Sequence, residues 1–312
     1  MAGLNIAHVF VYYTLMSLAV SKEHQFAGQL AVFATAFLWS TSGLFIKMID
    51  WHPMVIAGTR AFGAAVFLIV VRMIFPVPKS VKGLAFPFWA SAITNSLTVI
   101  TFVVANKLTA SANVVLLQYS SPVWTALLGW WLIKEKPRWE HWGALVLVAG
   151  GLLIFLHDGL GSGSLLGNGV AVSSGIFVGF NMVFLRMAKE GNLRDALLMS
   201  HVLTTVISIP FIFLYPPTLS ASSVLPIVYM GPIQQGLASI FFAYGIKRVS
   251  AIQAILTATI EPLCNPLWVL LVIGEKPSFQ AIIGGGLIFA AVVSSSIIGK
   301  QREAGNLPGK IL

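Results

Sequence analysis

The sequence predicts an all-α membrane protein: ten transmembrane helices in two inverted five-helix repeats, with an apolar N-terminal extension in front of them. Three observations carry this reading. Of 312 residues, 57% are hydrophobic and only 9% charged, with a mean hydropathy of +0.88, which excludes a pair of soluble domains of the same length. Charges sit at the ends of uncharged apolar runs of about 20 residues, the length that crosses ~30 Å of hydrocarbon. Finally, the chain repeats itself at an offset of 140 positions.

Taken in order, the apolar runs place spans at Phe26–Ile46, Met54–Met73, Leu84–Ala105, Ser111–Ile133, Trp139–Leu156, Gly169–Leu185, Ala196–Tyr215, Ser223–Ile246, Ala251–Ile273 and Phe279–Ile298. Their uniform length, and the lack of short alternating segments, favour helices over barrel strands, because a helix satisfies its own backbone in lipid. If the first span starts in the cytoplasm, fifteen of the nineteen Lys and Arg residues fall inside. Lys47, Lys107 and Lys276 fall outside, and Arg60 lies within a span. That bias places both ends of the ten-span unit in the cytoplasm. The net charge of +9 is scattered at span ends, so it marks membrane anchoring and no nucleic-acid partner is expected.

The N-terminal extension, residues 1–25, contains the apolar run Leu4–Val20 without the basic start or cleavage site of a signal peptide. It reads equally as an eleventh helix, an interfacial helix, or a product of an upstream start with Met16 as the true first residue. A single cysteine, Cys264, excludes a disulfide framework and a cysteine zinc site. No metal or other cofactor is expected.

Sliding the chain by 140 positions brings Glu135-Lys136-Pro137 onto Glu275-Lys276-Pro277. Phe102, Lys107, Leu116, Pro122, Leu127 and Ile133 then meet Phe242, Lys247, Leu256, Pro262, Leu267 and Ile273. The halves become 26–157 and 169–298, joined by a Gly/Ser-rich linker at 158–168 and followed by a cytoplasmic tail at 299–312. Five spans per half is an odd number, so the second half enters the bilayer from the opposite side. Two inverted halves are the pattern of a secondary transporter whose site lies between them near the midplane.

These residues resemble the EamA-type ten-span carriers of the drug/metabolite transporter superfamily. The resemblance rests on Phe37-Leu38-Trp39-Ser40, Arg60, Lys107 with Ser111-Ala112, Pro122 with Glu135, and Glu261-Pro262 with Glu275. It implies a basket of helices, a central cavity lined by spans 1, 3, 4, 6, 8 and 9, and alternating access. One departure matters: the acid before Pro262 is matched in the first repeat by Ser121.

Of ten acids, Glu261 alone lies near the middle of a span. A charge there costs about 2.5–3.5 kcal/mol on insertion scales, so the carboxyl must face a wet cavity, find a partner or stay protonated. It could serve as a proton carrier, or be a protonated group bonded to a neighbouring helix. Gln253, Thr257, Glu261 and Asn265 recur at i+4 and share one helix face. Pro122 and Pro262 each remove a backbone donor, freeing the carbonyls of Gln118 and Ala258, and read as hinges or ordinary kinks. Arg60 lies roughly 10 Å from its span's end by helix rise. From there it can anchor the rim, help close a gate or hold a carboxylate. His201 reads as a satisfied helix contact, and Gly175 with Gly179 as close packing.

Trp39, Asn95, Gln118, Tyr119, Asn181, Gln234, Gln235 and Tyr244 complete the candidate cavity with Thr257 and Glu261. Aromatic faces and neutral amides suit a small amphipathic solute, since a polyanion would need several cations. The leading function is export of amino acids or related metabolites by alternating access, with proton coupling as an option. The alternatives are efflux of hydrophobic cations, and a lipid-carrier flippase or intramembrane enzyme. An enzyme is disfavoured because the spans carry no paired acids, HExxH or GxSxG. Short loops and the lack of a glycosylation sequon favour a bacterial cytoplasmic membrane. Solute and lipid are the only partners expected, and the oligomeric state stays open.

Overall fold

In the computed structural model, the described residues are 24, 26–75, 86–134, 142–143, 146–151, 153–154, 165–187, 193–246, 248–249, 257–258 and 260–305. The extension Leu4–Val20, Glu135 and Gln253 lie outside them.

The chain is a multi-span bundle of membrane helices. In order these are α1 (Phe26–Met48), α2 (Pro53–Ile74), α3 (Phe86–Leu108), α4 (Ser111–Gln118), α5 (Ser121–Ile133), α6 (Leu165–Met187), α7 (Leu193–Leu214), α8 (Ala221–Gly245), α9 (Ile260–Ile273) and α10 (Phe279–Gly305). Among the described residues, six helices are long and apolar enough to cross a membrane: α1, α2, α3, α6, α7 and α8. The fourth expected span is instead two short helices, broken at Tyr119-Ser120. Pro122 explains the break, because it cannot donate to the carbonyl one turn back and is tolerated in a helix's first turn, where α5 places it.

Burial runs opposite to that of a soluble helix. On α2 the small residues Gly58, Ala61, Ala64 and Ala65 are buried, whereas Phe62, Val66, Ile69 and Met73 are exposed. Small faces allow backbones to approach, which is how membrane helices associate without a hydrophobic drive between them. A Cβ on Gly58 would lie 2.2 Å from Ser208 Cβ on α7, and one on Gly63 would lie 3.1 Å from Gly231 Cα on α8.

Helix pairs recur in matched sets. α3 lies along α6 through Ser91–Asn181 and Thr109–Asn168 bonds. α8 lies along α1, where Thr35 bonds to the Ala238 carbonyl and Gly245 abuts Val32. α2 crosses α8, and α3 crosses α7 through Asn95–Ser200 and Ser96–Thr204 bonds. The ends of α5 and α9 also match: the described residues adopt positive φ only at Lys134 (61°) and Gly274 (79°), 140 positions apart.

α6 begins at Leu165, four residues before the expected start, inside the stretch read as linker. The reason is packing. Asn168 Oδ1 accepts from Thr109 Oγ1 at 2.9 Å and from Asn113 Nδ2 at 3.3 Å, and a Cβ on Gly167 would meet Thr109 at 2.8 Å. These residues seat the helix beneath the α3–α4 turn.

Candidate functional site

The α4–α5 break meets the stretch before Pro262. Pro262 has no N–H for the Ala258 carbonyl, and the Tyr119 hydroxyl, at the α4–α5 break, donates to that carbonyl at 2.5 Å. Ser120 Oγ donates to the Leu117 carbonyl at 2.6 Å, so the α4–α5 break is capped by its own side chain. Gly175 and Gly179 of α6 let α5 close in: a Cβ on Gly175 would lie 3.0 Å from Ser120 Oγ, and one on Gly179 would lie 2.8 Å from Trp124 Cβ.

Beside this junction lies Glu261, half-buried and within electrostatic reach of Tyr119. Among the described residues its carboxyl makes no hydrogen bond or ion pair. Thr257, one turn earlier, is half-buried. Asn265, one turn later, is fully buried with neither amide atom bonded, packed where α1 carries Gly43. Trp268 Nε1 donates to Ser40 Oγ at 3.0 Å, tying α9 to α1.

Across from α9, Trp39 of α1 tilts against Phe242 at 5.6 Å, its buried indole N–H without a partner. Thr41 Oγ1 lies 3.3 Å from Tyr229 Oη and 3.4 Å from Gln234 Nε2. Gln234 is fully buried, and its Oε1 is unpaired. It sits in a π-helical stretch, Met230–Leu237, within α8. Such irregular turns in long helices recur at functional sites. Thr41 and Tyr229 escaped the sequence reading. The run of hydroxyl residues Ser40-Thr41-Ser42 directly after Trp39 was the available signal.

Other expected residues are engaged elsewhere. Asn181 accepts from Ser91 at 2.6 Å and donates to Asn95 Oδ1 at 3.3 Å, while Asn95 donates to Ser200 at 2.7 Å. Gln118 donates to Ser174 at 2.7 Å. These amides zip α3, α4, α6 and α7 together. Tyr244 lies under the Arg248 guanidinium, 3.6 Å from its centre, and Gln235 is half-buried with its carbonyl accepting from Ser239. Pro122 is exposed and Pro262 buried.

Arg60 does not reach a rim. It is 2% exposed, and its Nε and Nη1 are buried without acceptors. His201, expected as a satisfied contact, has both ring nitrogens buried and unpaired. It faces an interface in which the small residues of α2 bring helices close without supplying acceptors.

At one end of the bundle, Glu275 closes a three-way tie. Its Oε2 accepts from Lys47 Nζ at 2.7 Å, and its Oε1 accepts from the Ser111 backbone N–H at 2.8 Å. Lys47 also donates to the Thr109 carbonyl at 2.9 Å, and Lys107 to the Ile49 carbonyl. A carboxylate on the first N–H of α4 gains from the helix dipole as well as the ammonium. The repeated Glu-Lys-Pro motif was the sequence signal for it.

Comparison with known proteins agrees with this architecture. An uncharacterized transporter from Archaeoglobus fulgidus is 25% identical over 271 residues, covering 85% of this chain and 95% of that protein. The uncharacterized transporter YwfM of Bacillus subtilis is 25% identical over 295 residues, covering 88% and 96%. A solved crystal structure shares the fold with a TM-score of 0.63 at 20% identity, covering 88% of this chain and 98% of that one. The EamA-like transporter family matches twice, over residues 26–157 and 165–297, and the chain belongs to that family.

Proposed function

We propose that this transporter exports small amphipathic metabolites, amino acids or close relatives with an apolar side chain, by alternating access between two inverted five-helix halves. The observation that carries the reading is the convergence of polar and aromatic groups from α1, α8 and α9 near the α4–α5 break, with Trp39 Nε1 and Gln234 Oε1 left unpaired among them. Trp39, Thr41, Tyr229, Gln234 and Glu261 offer an aromatic face, hydroxyls, an amide and one acid. That set matches a solute with one ammonium and an apolar body, and offers nothing to offset the desolvation of a diphosphate. Glu261 takes the ammonium or, in its absence, a proton. The two-fold family match and the swapped helix pairs support ten spans in two halves.

In this reading the Lys47–Glu275–Ser111 tie is the closed outer gate, and both chain ends face the cytoplasm of a bacterial cell. An impermeant thiol reagent on intact cells tests the orientation: it should label a cysteine at Gly161 and spare one at Lys79, and the reverse pattern overturns it. A thermal-shift screen of the purified protein against a metabolite library tests the solute class, because a bound solute raises apparent stability. Apolar amino acids should raise Tm. The lone acid among aromatic rings also favours a second reading, efflux of hydrophobic cations, and a Tm rise with tetraphenylphosphonium but no amino acid would select it.

A further inference from the structure

We propose that Arg60 and His201 form a binding site for one small monovalent anion between α2 and α7, outside the α1, α8 and α9 groups that face the solute. A guanidinium stays charged in any protein environment and presents five donors. Arg60 is 98% buried by its 2% exposure, and its Nε and Nη1 have no acceptor. A buried charge without a partner is among the costliest arrangements a fold can contain.

Among the described residues no acid supplies the counter-charge. Among the described residues, Asp195 pairs with Arg72 and Glu275 with Lys47. Asp50 lies within reach of Lys107, and Glu261 within reach of Tyr119. Glu303 lies in the last turn of α10. By sequence the other five acids belong to span ends, loops and tails.

The helix α7 packed against α2 carries unused donors instead. The Arg60 charge reaches His201, whose ring is unpaired at both nitrogens and carries at least one N–H in any tautomer. Seven residues on, along α7, Ser208 Oγ is also buried and unpaired, packed on Gly58. On the other side, Gly231 faces the Arg60 carbonyl, where a Cβ would stand 3.1 Å away, so α8 places no side chain there. A fixed cation facing a helix with unused donors, with no carboxylate bonded to it among the described residues, is complementary to a chloride or to the carboxylate of a small acid.

The test uses the purified full chain without solute, so its outcome is independent of the solute reading. Tm is measured at constant ionic strength while sodium methanesulfonate is replaced by sodium chloride in one arm and sodium acetate in the other. A saturable rise of several degrees in either arm is expected. The responding arm identifies the source as halide or carboxylate. The rise should vanish in Arg60→Gln and weaken several-fold in His201→Asn. Should Arg60→Gln fail to fold, equilibrium dialysis with radioactive chloride and acetate on the native protein decides, one anion per chain being expected. Equal Tm in all three salts with no bound anion, or an unchanged response in Arg60→Gln, overturns the proposal.

Discussion

The stretches Ala90–Leu97 of α3 and Met230–Leu237 of α8 occupy matching places under the 140-residue offset, yet they are built differently. The first is regular α-helix, and its Ser91, Asn95 and Ser96 are bonded to α6 and α7. The second is π-helical, contains Pro232, and leaves Gln234 Oε1 buried and unpaired. The two repeats differ at the prolines too, where Glu261 stands in place of Ser121. Of these two stretches the first is scaffold, its polar groups satisfied by neighbouring helices, while the second keeps an amide oxygen in reserve. In a membrane interior an unpaired polar atom is costly, so such a reserve points to a ligand.

Substitutions on the two sides should therefore differ in kind. Glu261→Gln preserves size and hydrogen bonding but removes titration and charge. It should lower transport into proteoliposomes by roughly a hundredfold, equivalent to about 2.7 kcal/mol, with Tm nearly unchanged. Asn181→Val strands Ser91 and Asn95, and should cost about 1–3 kcal/mol of stability. Thermal unfolding should report it as a fall in Tm, while half-saturation by solute holds within about twofold. If Asn181→Val instead weakened solute affinity at unchanged Tm, the scaffold assignment would be wrong. Gln234→Ala should do the converse, raising the half-saturation concentration roughly tenfold, or about 1.4 kcal/mol, with little change in Tm.

The smallest effect concerns the helix ends. Gly274 adopts its left-handed φ of 79° freely, whereas Lys134 holds φ 61° with a side chain attached. Lys134→Gly should stabilise the chain by about 1 kcal/mol, since non-glycine residues in that region cost roughly 1–2 kcal/mol. A Tm unchanged or lowered in that variant would show that the lysine side chain makes up the difference.

Much of this was legible in sequence because it is written in charge and proline. Pro122 marked the α4–α5 break, the Glu-Lys-Pro repeat marked the offset that the two-fold family match also shows, and Glu261 stood out as the acid within the ninth apolar run. What stayed hidden depends on which neighbour a side chain meets. Asn95 and Gln234 are both amides in apolar runs, and only packing shows that one is bonded to Ser200 and the other is left open. The π-helical stretch left no mark in periodicity, because the run is apolar on most faces. Arg60 looked able to reach a rim by length alone, but the small face of α2 draws α7 and α8 over it.

The central claim is that the groups of α1, α8 and α9 bind an amphipathic solute through Glu261. Counterflow of a radiolabelled apolar amino acid in proteoliposomes tests it most directly. Wild-type protein should give saturable accumulation, competed by related amino acids, that is absent in Glu261→Gln and reduced in Trp39→Ala at equal protein content. Saturable exchange of nucleotide sugars that no amino acid competes with, or undiminished counterflow in Glu261→Gln, would contradict the account.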